Sequence, residues 1–334
     1  GRLSPMIQTF SMIDVGGKQP TNRIAVATGV IHVGASAFAL IRDRQLPKGD
    51  VLMLAEIAGI QGAKNASQLM PLCHPMGLDH VRVITELDES QATVRVYCTA
   101  RTCAKTGVEM EALAGVNAAL LTVWDLTKMV EPDLCISDIR LLAKVGGKSG
   151  CWLNPEAHLI PNWVLDLVQP AVKPSLAGIT AEVIVLSDRA SSGVYEDKSG
   201  PVARDLLNAM GADVRGVSVI PDEPAELQAK IKTIKETGET RLIITSGGTG
   251  VSGRDSTPEA VAAIADKLIP GVGELLRTSG AAFTPLSWSS RSIGATLGNV
   301  LVVTLPGSPK AVKEGLDVLG PLMKHLLTII QDIR

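Results

Sequence analysis

The sequence predicts two domains of different build: an α+β, ferredoxin-like domain over residues 1–151 and an α/β parallel-sheet domain over residues 178–334. Three observations predict this. Two alternating stretches, "VRVITEL" (81–87) and "TVRVYCTAR" (93–101), flank the polar "DESQA", the pattern of a β-hairpin with one buried face. Further on, four apolar runs ("EVIVLS", "VRGVSVI", "RLIIT" and "VLVVTL") alternate with helical stretches, as strands buried on both faces by crossover helices do. Between the two patterns lies a proline-rich break, and 334 residues exceed what one ordinary core holds.

The first domain follows in order. Asp50 is placed to cap a helix running toward Lys64. After the hairpin, a long apolar helix is predicted from about Thr106 to Val130, rich in small residues that permit close packing. Helices segregated on one antiparallel sheet define the α+β class. Residues 152–177 form the linker: prolines at 155, 161, 170 and 174 forbid a long regular element. Trp152 and Trp163 are costly to leave in water, so the linker is expected to lie docked on a domain.

Composition narrows the function. A net charge of −2 gives no global attraction to nucleic acid or to an anionic membrane, so a polyanion must be met by local Lys and Arg. Five cysteines without regular spacing suit reduced thiols, and a cytoplasmic location is expected. No apolar run reaches the ~18 residues of a membrane span; the longest, near the C-terminus, is interrupted by Lys324. The first residues, "GRLSPMIQTF", lack the blocks of a signal peptide and read as a disordered lead.

In parallel sheets the ligand sits beyond the carboxyl ends of the strands. There the second domain carries "SDRASSG", "PDEP", "SGGTGVSGRD" and "PGSPK", each leading toward a helix start. Amides freed by glycine and aimed by helix N-termini suit a phosphate-bearing ligand. This is not a Walker A loop: Gly147–Ser149 reads Gly-Lys-Ser, but Leu142 stands where the leading glycine belongs. Asp222 and Asp255 each present an acid able to bring a divalent cation to a polyphosphate, or else cap and solvate their loops.

"SDRASSGVYEDKSGP", "IPDE", "SGGTGVSGRDSTPEA" and "LPGSPKAVKE", in that order, resemble the MogA/MoaB family of molybdopterin adenylyltransferases, which includes the G domain of gephyrin. The resemblance spans residues 178–334. It implies a MogA-like fold and transfer of AMP from Mg-ATP to the phosphate of molybdopterin, with pyrophosphate released. Carried over by motif, Asp222 and Asp255 are the essential acids, with Mg²⁺ held through the nucleotide. Gly247, Gly248, Thr249 and Gly250 form the pterin and phosphate cradle, with Asp188 and Ser308 nearby.

In the first domain, "LMPLCHPMG" (69–77) sets Cys73 beside His74 between two prolines. Half a metal site, a nucleophile with its base and a stiff wall presenting one imidazole all stand open. His80, Cys98 and Cys103 form no paired zinc spacing with them, and adjacent side chains on extended chain point to opposite sides. Cys73 is therefore expected to be a buried structural thiol. Asp125 and Lys128 are three apart on one helix face, and apolar neighbours argue against full exposure. "LLAKVGGKSG" joins mobile glycines to Lys144 and Lys148, a grip for a triphosphate. Thr106 and Glu109 fit a capping box; Glu111 has no such structural explanation.

These stretches, with "KGDV" and "AGIQGAKNASQLMPLCHP", closely resemble the MoaC family, cyclic pyranopterin monophosphate synthase, from about Met12 to Gly150. The resemblance implies that a cyclised dihydro-GTP intermediate is rearranged, closed to a cyclic phosphate and relieved of pyrophosphate, with no tightly bound cofactor. Asp125 becomes the active-site acid and Lys48 and Lys128 its catalytic partners. Leu72, Cys73, His74, Met110 and Glu111 line the substrate, and Lys64, Lys144 and Lys148 meet phosphates. On this reading the Pro-bounded wall presents His74. The two resemblances imply a bifunctional enzyme that is a homo-oligomer, hexameric through the first domain and with a trimer tendency in the second. Its substrates are pterins and nucleotides, and other molybdopterin-pathway enzymes are its expected partners. A non-catalytic, oligomerising second domain is the alternative.

Overall fold

A computed structural model describes residues 10–331 of the chain; most of the N-terminal lead lies outside them. The chain divides into two compact units between Pro170 and Ala171.

In the first unit the order is β1 (Thr21–His32), α1 (Ala35–Arg42), α2 (Val51–Lys64), α3 (Ala66–Leu69), β2 (His80–Asp88), β3 (Thr93–Ala104), α4 (Glu109–Thr127), β4 (Cys135–Val145), β5 (Cys151–Leu153) and α5 (Asn162–Val168). The five strands form one sheet in the order β2-β3-β1-β4-β5, with every pairing antiparallel. The expected hairpin is present, Asp88 facing Thr93 across its turn. Alternation sorts β1 and β3: Ala25, Ala27, Ile31, Val94, Val96, Cys98 and Ala100 join the core that α2 and α4 cover. On the other face Val26 and Tyr97 meet Val164 and Val168 of α5.

α2 and α4 touch through small residues. A Cβ added at Gly62 would stand 2.9 Å from the Ala114 carbonyl oxygen, so the backbones approach as closely as they do only because that atom is missing. The N-terminus of α2 is capped as expected, the Asp50 side chain accepting from Met53 N at 3.2 Å. Asp50→Ala is expected to cost about 1 kcal/mol, read as a lower denaturation midpoint with unchanged denaturant dependence.

Two expectations need correction. α4 starts at Glu109 after Val108, with no side-chain cap, so the Thr106–Glu109 capping box does not form; Glu109 instead binds Lys144. The stretch from 152 to 177 is more structured than a linker. Trp152 and Leu153 lie in β5, and α5 fits between Pro161 and Pro170, with Trp163 edge-on to Tyr97 at 5.5 Å. Proline is tolerated ahead of a helix's first turn, so these prolines bound a helix rather than forbid one.

The second unit runs β6 (Thr180–Leu186), α6 (Asp188–Ser191), α7 (Ser199–Ala209), β7 (Asp213–Ile220), α8 (Pro224–Glu236), β8 (Leu242–Ser246), α9 (Thr257–Ile264), β9 (Lys267–Ile269), α10 (Pro270–Ala281), a 3₁₀ turn (Pro285–Ser289), β10 (Gly294–Leu297), β11 (Val300–Leu305) and α11 (Pro309–Gln331). The sheet order is β7-β6-β8-β11-β10-β9. The four apolar runs are the parallel strands β7, β6, β8 and β11. The sheet is nevertheless mixed rather than purely parallel, because β10 and β9 add an antiparallel edge. The reason is local: Gly298 and Asn299 join β10 to β11, a two-residue connection that permits only an antiparallel pair. Two clusters centred on aliphatic residues cover the two faces of the sheet.

Candidate active sites

In the first unit, helix α4 divides the predicted site. Glu111 stands in its first turn and Asp125 in its last. Asp125 lies fourteen positions further along the helix than Glu111, ~21 Å at 1.5 Å per residue.

At the C-terminal end Lys128 Nζ donates to Asp125 Oδ1 at 2.7 Å, and both side chains are more than half exposed (52% and 58%). The pair is therefore more open than its apolar neighbours suggested, because Val123 turns into the core while the polar pair faces out. The Lys128 ammonium holds the Asp125 carboxyl below the usual carboxylate range, and the positive charge of Lys48, in the loop before α2, adds to this. Asp125, Lys128 and Lys48 thus form one cluster.

At the N-terminal end, Cys73, Glu111 and His74 form another. Glu111 is buried (3% exposed), with Oε1 3.9 Å from Cys73 Sγ and Oε2 without a partner. Burial pushes its carboxyl above the usual range, and the nearby Glu109 adds to the shift. Cys73 is half-buried, not sealed in the core as expected; burial and then Glu111 raise its thiol pKa, which keeps it protonated and able to donate. His74, in the irregular segment between α3 and β2, brings Nε2 to within 2.8 Å of the Ile13 carbonyl oxygen. Lys105 Nζ donates to the Gly16 carbonyl oxygen at 3.3 Å. Lys144 on β4 pairs with Glu109 at 3.0 Å. Leu72 and Met110 are exposed near this end, and Lys148 lies exposed in the turn between β4 and β5. Lys64 ends α2, the helix that Lys48 precedes.

The buried acid has a consequence for stability. A carboxyl whose folded pKa is raised favours the fold fully below its unfolded value, about 4.3, and that contribution is lost as pH rises through the folded value. Glu111→Gln should therefore flatten the pH dependence of the first unit's melting temperature above pH ~4.3. Parallel slopes for the two proteins in thermal scans from pH 4.5 to 8 would contradict it.

In the second unit the four loops do converge. Asp188 opens α6, Asp222 follows β7, Gly247–Gly250 and Asp255 follow β8, and Ser308 caps α11, its Oγ accepting from Ala311 N at 3.1 Å. Asp188 Oδ1 accepts from Asp222 N at 2.9 Å. Asp222 Oδ1 is buried without a partner, and a Cβ on Gly248 would approach it to 2.8 Å; Gly248 also holds φ +70°. Glycine is thus required there for both backbone and space. Burial raises the Asp222 carboxyl pKa, with the charges of Asp188 and Asp255 adding; Arg254 lowers that of Asp188. Asp255 Oδ2 accepts from Ser252 N at 2.9 Å, which folds its loop back on itself. Thr249 is buried, and Gly307 meets Gly247, closing the cradle.

Two residues at this site were given no role in the sequence reading: Arg254 lies inside the "SGGTGVSGRD" motif and Arg291 outside every motif. Arg291, just before β10, donates from Nε to the Gly250 carbonyl (2.7 Å) and from Nη2 to the Asp255 carbonyl (2.9 Å), and it pairs with Glu259. Its own backbone N donates to Thr249 O at 2.8 Å. Arg254 pairs with both Asp188 and Glu223. Their partners lie 31 to 66 residues away in the chain, out of reach of short-motif reading.

Two α/β units, one with acid and base clusters at both ends of a helix and one with glycine loops gathered at parallel strand ends, define a two-part protein with a candidate site in each part. The MoaC family matches residues 12–147, and the family described as "Probable molybdopterin binding domain" matches residues 182–325. The molybdenum cofactor biosynthesis bifunctional protein of Synechococcus elongatus is 44% identical over 96% of this chain and 97% of its own. That of Chlorobaculum tepidum is 38% identical over 96% and 94%. A solved structure of the molybdopterin biosynthesis Mog protein from Mycobacterium ulcerans is 39% identical, covers 46% of this chain and 99% of its own, and has a TM-score of 0.43. The chain belongs to the molybdenum cofactor biosynthesis bifunctional proteins, with a MoaC part followed by a MogA/MoaB-type part. It is a bifunctional enzyme of that biosynthesis. No helix among the described residues is long and apolar enough to cross a membrane.

Proposed function

We propose that the ferredoxin-like first domain converts the cyclised dihydro-GTP intermediate to cyclic pyranopterin monophosphate, and that the second adenylylates molybdopterin with Mg-ATP. In the first reaction a substrate hydroxyl closes on the α-phosphate and pyrophosphate leaves. The lysines oppose the triphosphate charge, and the Asp125–Lys128 pair and Glu111, its carboxyl pKa raised by burial, are proton-transfer groups. In the second, a molybdopterin phosphate oxygen attacks the α-phosphorus of ATP, the bond to the bridging oxygen breaks and pyrophosphate departs. The cradle amides orient the phosphates.

The observation that carries the second half of the reading is the buried, partnerless carboxylate oxygen of Asp222 among three loop acids. It suits a hard cation. Among the described residues no three His, Cys, Asp or Glu side chains converge as a metal cage, but Mg²⁺ needs none, since it takes one or two carboxylates and completes its shell with phosphates and water. Asp222 and Asp255 would hold it; bound, it neutralises charge on the polyphosphate.

For the first half, two clusters ~21 Å apart imply that one copy supplies Asp125 and another Glu111. Met53, Ile57 and Ile60 leave an exposed apolar strip along α2 that supports pairing of copies. The expected assembly is a homo-oligomer, which the family resemblance makes hexameric by the first domain with a trimer tendency in the second. Sulfur must enter between the two reactions, so other molybdopterin-pathway enzymes are its partners and the fusion is no direct channel. The location proposed is the cytoplasm.

Pyrophosphate release is measured with the whole chain in two tubes, one with the cyclised intermediate and one with molybdopterin and Mg-ATP. Release in both supports the reading. Release in the first alone leaves the second domain an oligomerising module, and release in neither overturns it.

A further inference from the structure

The loop 247–256 is tied on both sides by guanidinium groups of different character. Arg291 binds backbone carbonyls of that loop, a fixed strut. Arg254 binds only carboxylates: Nε and Nη2 grip Asp188 Oδ2 and Oδ1 at 3.0 and 2.9 Å, and Nη1 lies 3.0 Å from Glu223 Oε1. Its side chain is 56% exposed, and both partners are about half exposed. Exposed ion pairs are weak and exchange readily. The acids it engages border the cradle in which a polyphosphate has to fit, and one of them, Asp188, also receives the Asp222 amide. A planar guanidinium binds phosphate in the same two-pronged manner as carboxylate.

We propose that Arg254 is a phosphate-binding residue of the second domain, held in reserve by Asp188 and Glu223 and transferred to the polyphosphate when it arrives. In the empty site it offsets the mutual repulsion of the loop acids. When a polyphosphate binds, the guanidinium exchanges carboxylate oxygens for phosphate oxygens; no covalent bond changes. This deepens the adenylyltransferase reading and rests on it for the identity of the nucleotide.

The test is calorimetric titration of the full chain with inorganic tripolyphosphate and with Mg-ATP. Arg254→Ala should weaken both by roughly tenfold or more. Glu223→Gln removes one reserve partner and should tighten both by a few-fold. The double variant Arg254→Ala/Glu223→Gln distinguishes release of the arginine from simple loss of a negative charge: the gain should vanish in it. A gain that persists without Arg254, or a loss with Glu223→Gln, makes the arginine a structural tie and overturns the proposal, as does failure of the parent chain to bind either probe. Failure of the adenylyltransferase reading itself has a separate signature: the parent binds tripolyphosphate and the cycle holds, yet no pyrophosphate is released from Mg-ATP with molybdopterin.

Discussion

Asp125→Asn and Glu111→Gln chains, assayed separately on the cyclised dihydro-GTP intermediate, are each expected to be slower by about 10²–10⁴-fold, the usual contribution of a positioned acid or base. Co-expressed, they should recover activity. The expectation follows from α4, whose ends carry the two groups ~21 Å apart, too far for both to touch one small substrate. Each end carries part of the proposed set: one has Asp125, Lys128 and Lys48, the other Cys73, His74 and Glu111. If two copies meet head to tail, each site draws one end from each chain. A mixed pair then has one site with both defects and one with none, so random mixing restores at most about a quarter of the parental rate. Mixed oligomers that form, by light scattering and tagged pull-down, yet show no recovery would mean that the ends of α4 do not share a substrate.

Local patterns made most of the fold legible. Alternation at 81–87 and 93–101 marked β2 and β3, and the acid at position 50 marked the start of α2. What escaped was short or conditional. β9 and β10, of three and four residues, are too brief to display a period, and α5 sits between prolines that obscure a seven-residue helix. Thr106 and Glu109 have the spacing of a capping box, but Lys144 draws Glu109 away, a tertiary contact that a local pattern does not contain. The sites divide in the same way. Loops that follow parallel strands must gather at one sheet edge, so Asp188, Asp222, Asp255 and the glycines were legible together. Topology does not gather the residues of the first unit so simply, and helix length there separates residues that motif reading had assigned to one substrate.

Asp222→Asn should lower adenylyl transfer by about 10²–10⁴-fold while leaving the first reaction at its parental rate. Asp222 differs from the other loop acids in having an oxygen that is buried and unpartnered, its carboxyl pKa raised first by burial and then by Asp188 and Asp255. Such a group weakens the empty fold at neutral pH, since its protonated form is favoured and that contribution is lost as pH rises through the raised value. The isosteric amide removes the charge with little change of shape, so the second unit should become slightly more heat-stable as catalysis is lost. Opposite signs for activity and stability distinguish an acid kept for a cation from one kept for structure: a structural acid would lose both together. If Mg²⁺ meets this carboxylate, the amide weakens its hold, so raising Mg²⁺ should recover part of the lost rate by mass action, whereas an acid with no part in holding the cation would leave the variant indifferent to added Mg²⁺. A variant that is less stable, or whose rate responds to added Mg²⁺ no more than the parent's, would remove Asp222 from the cation site and leave its burial unexplained.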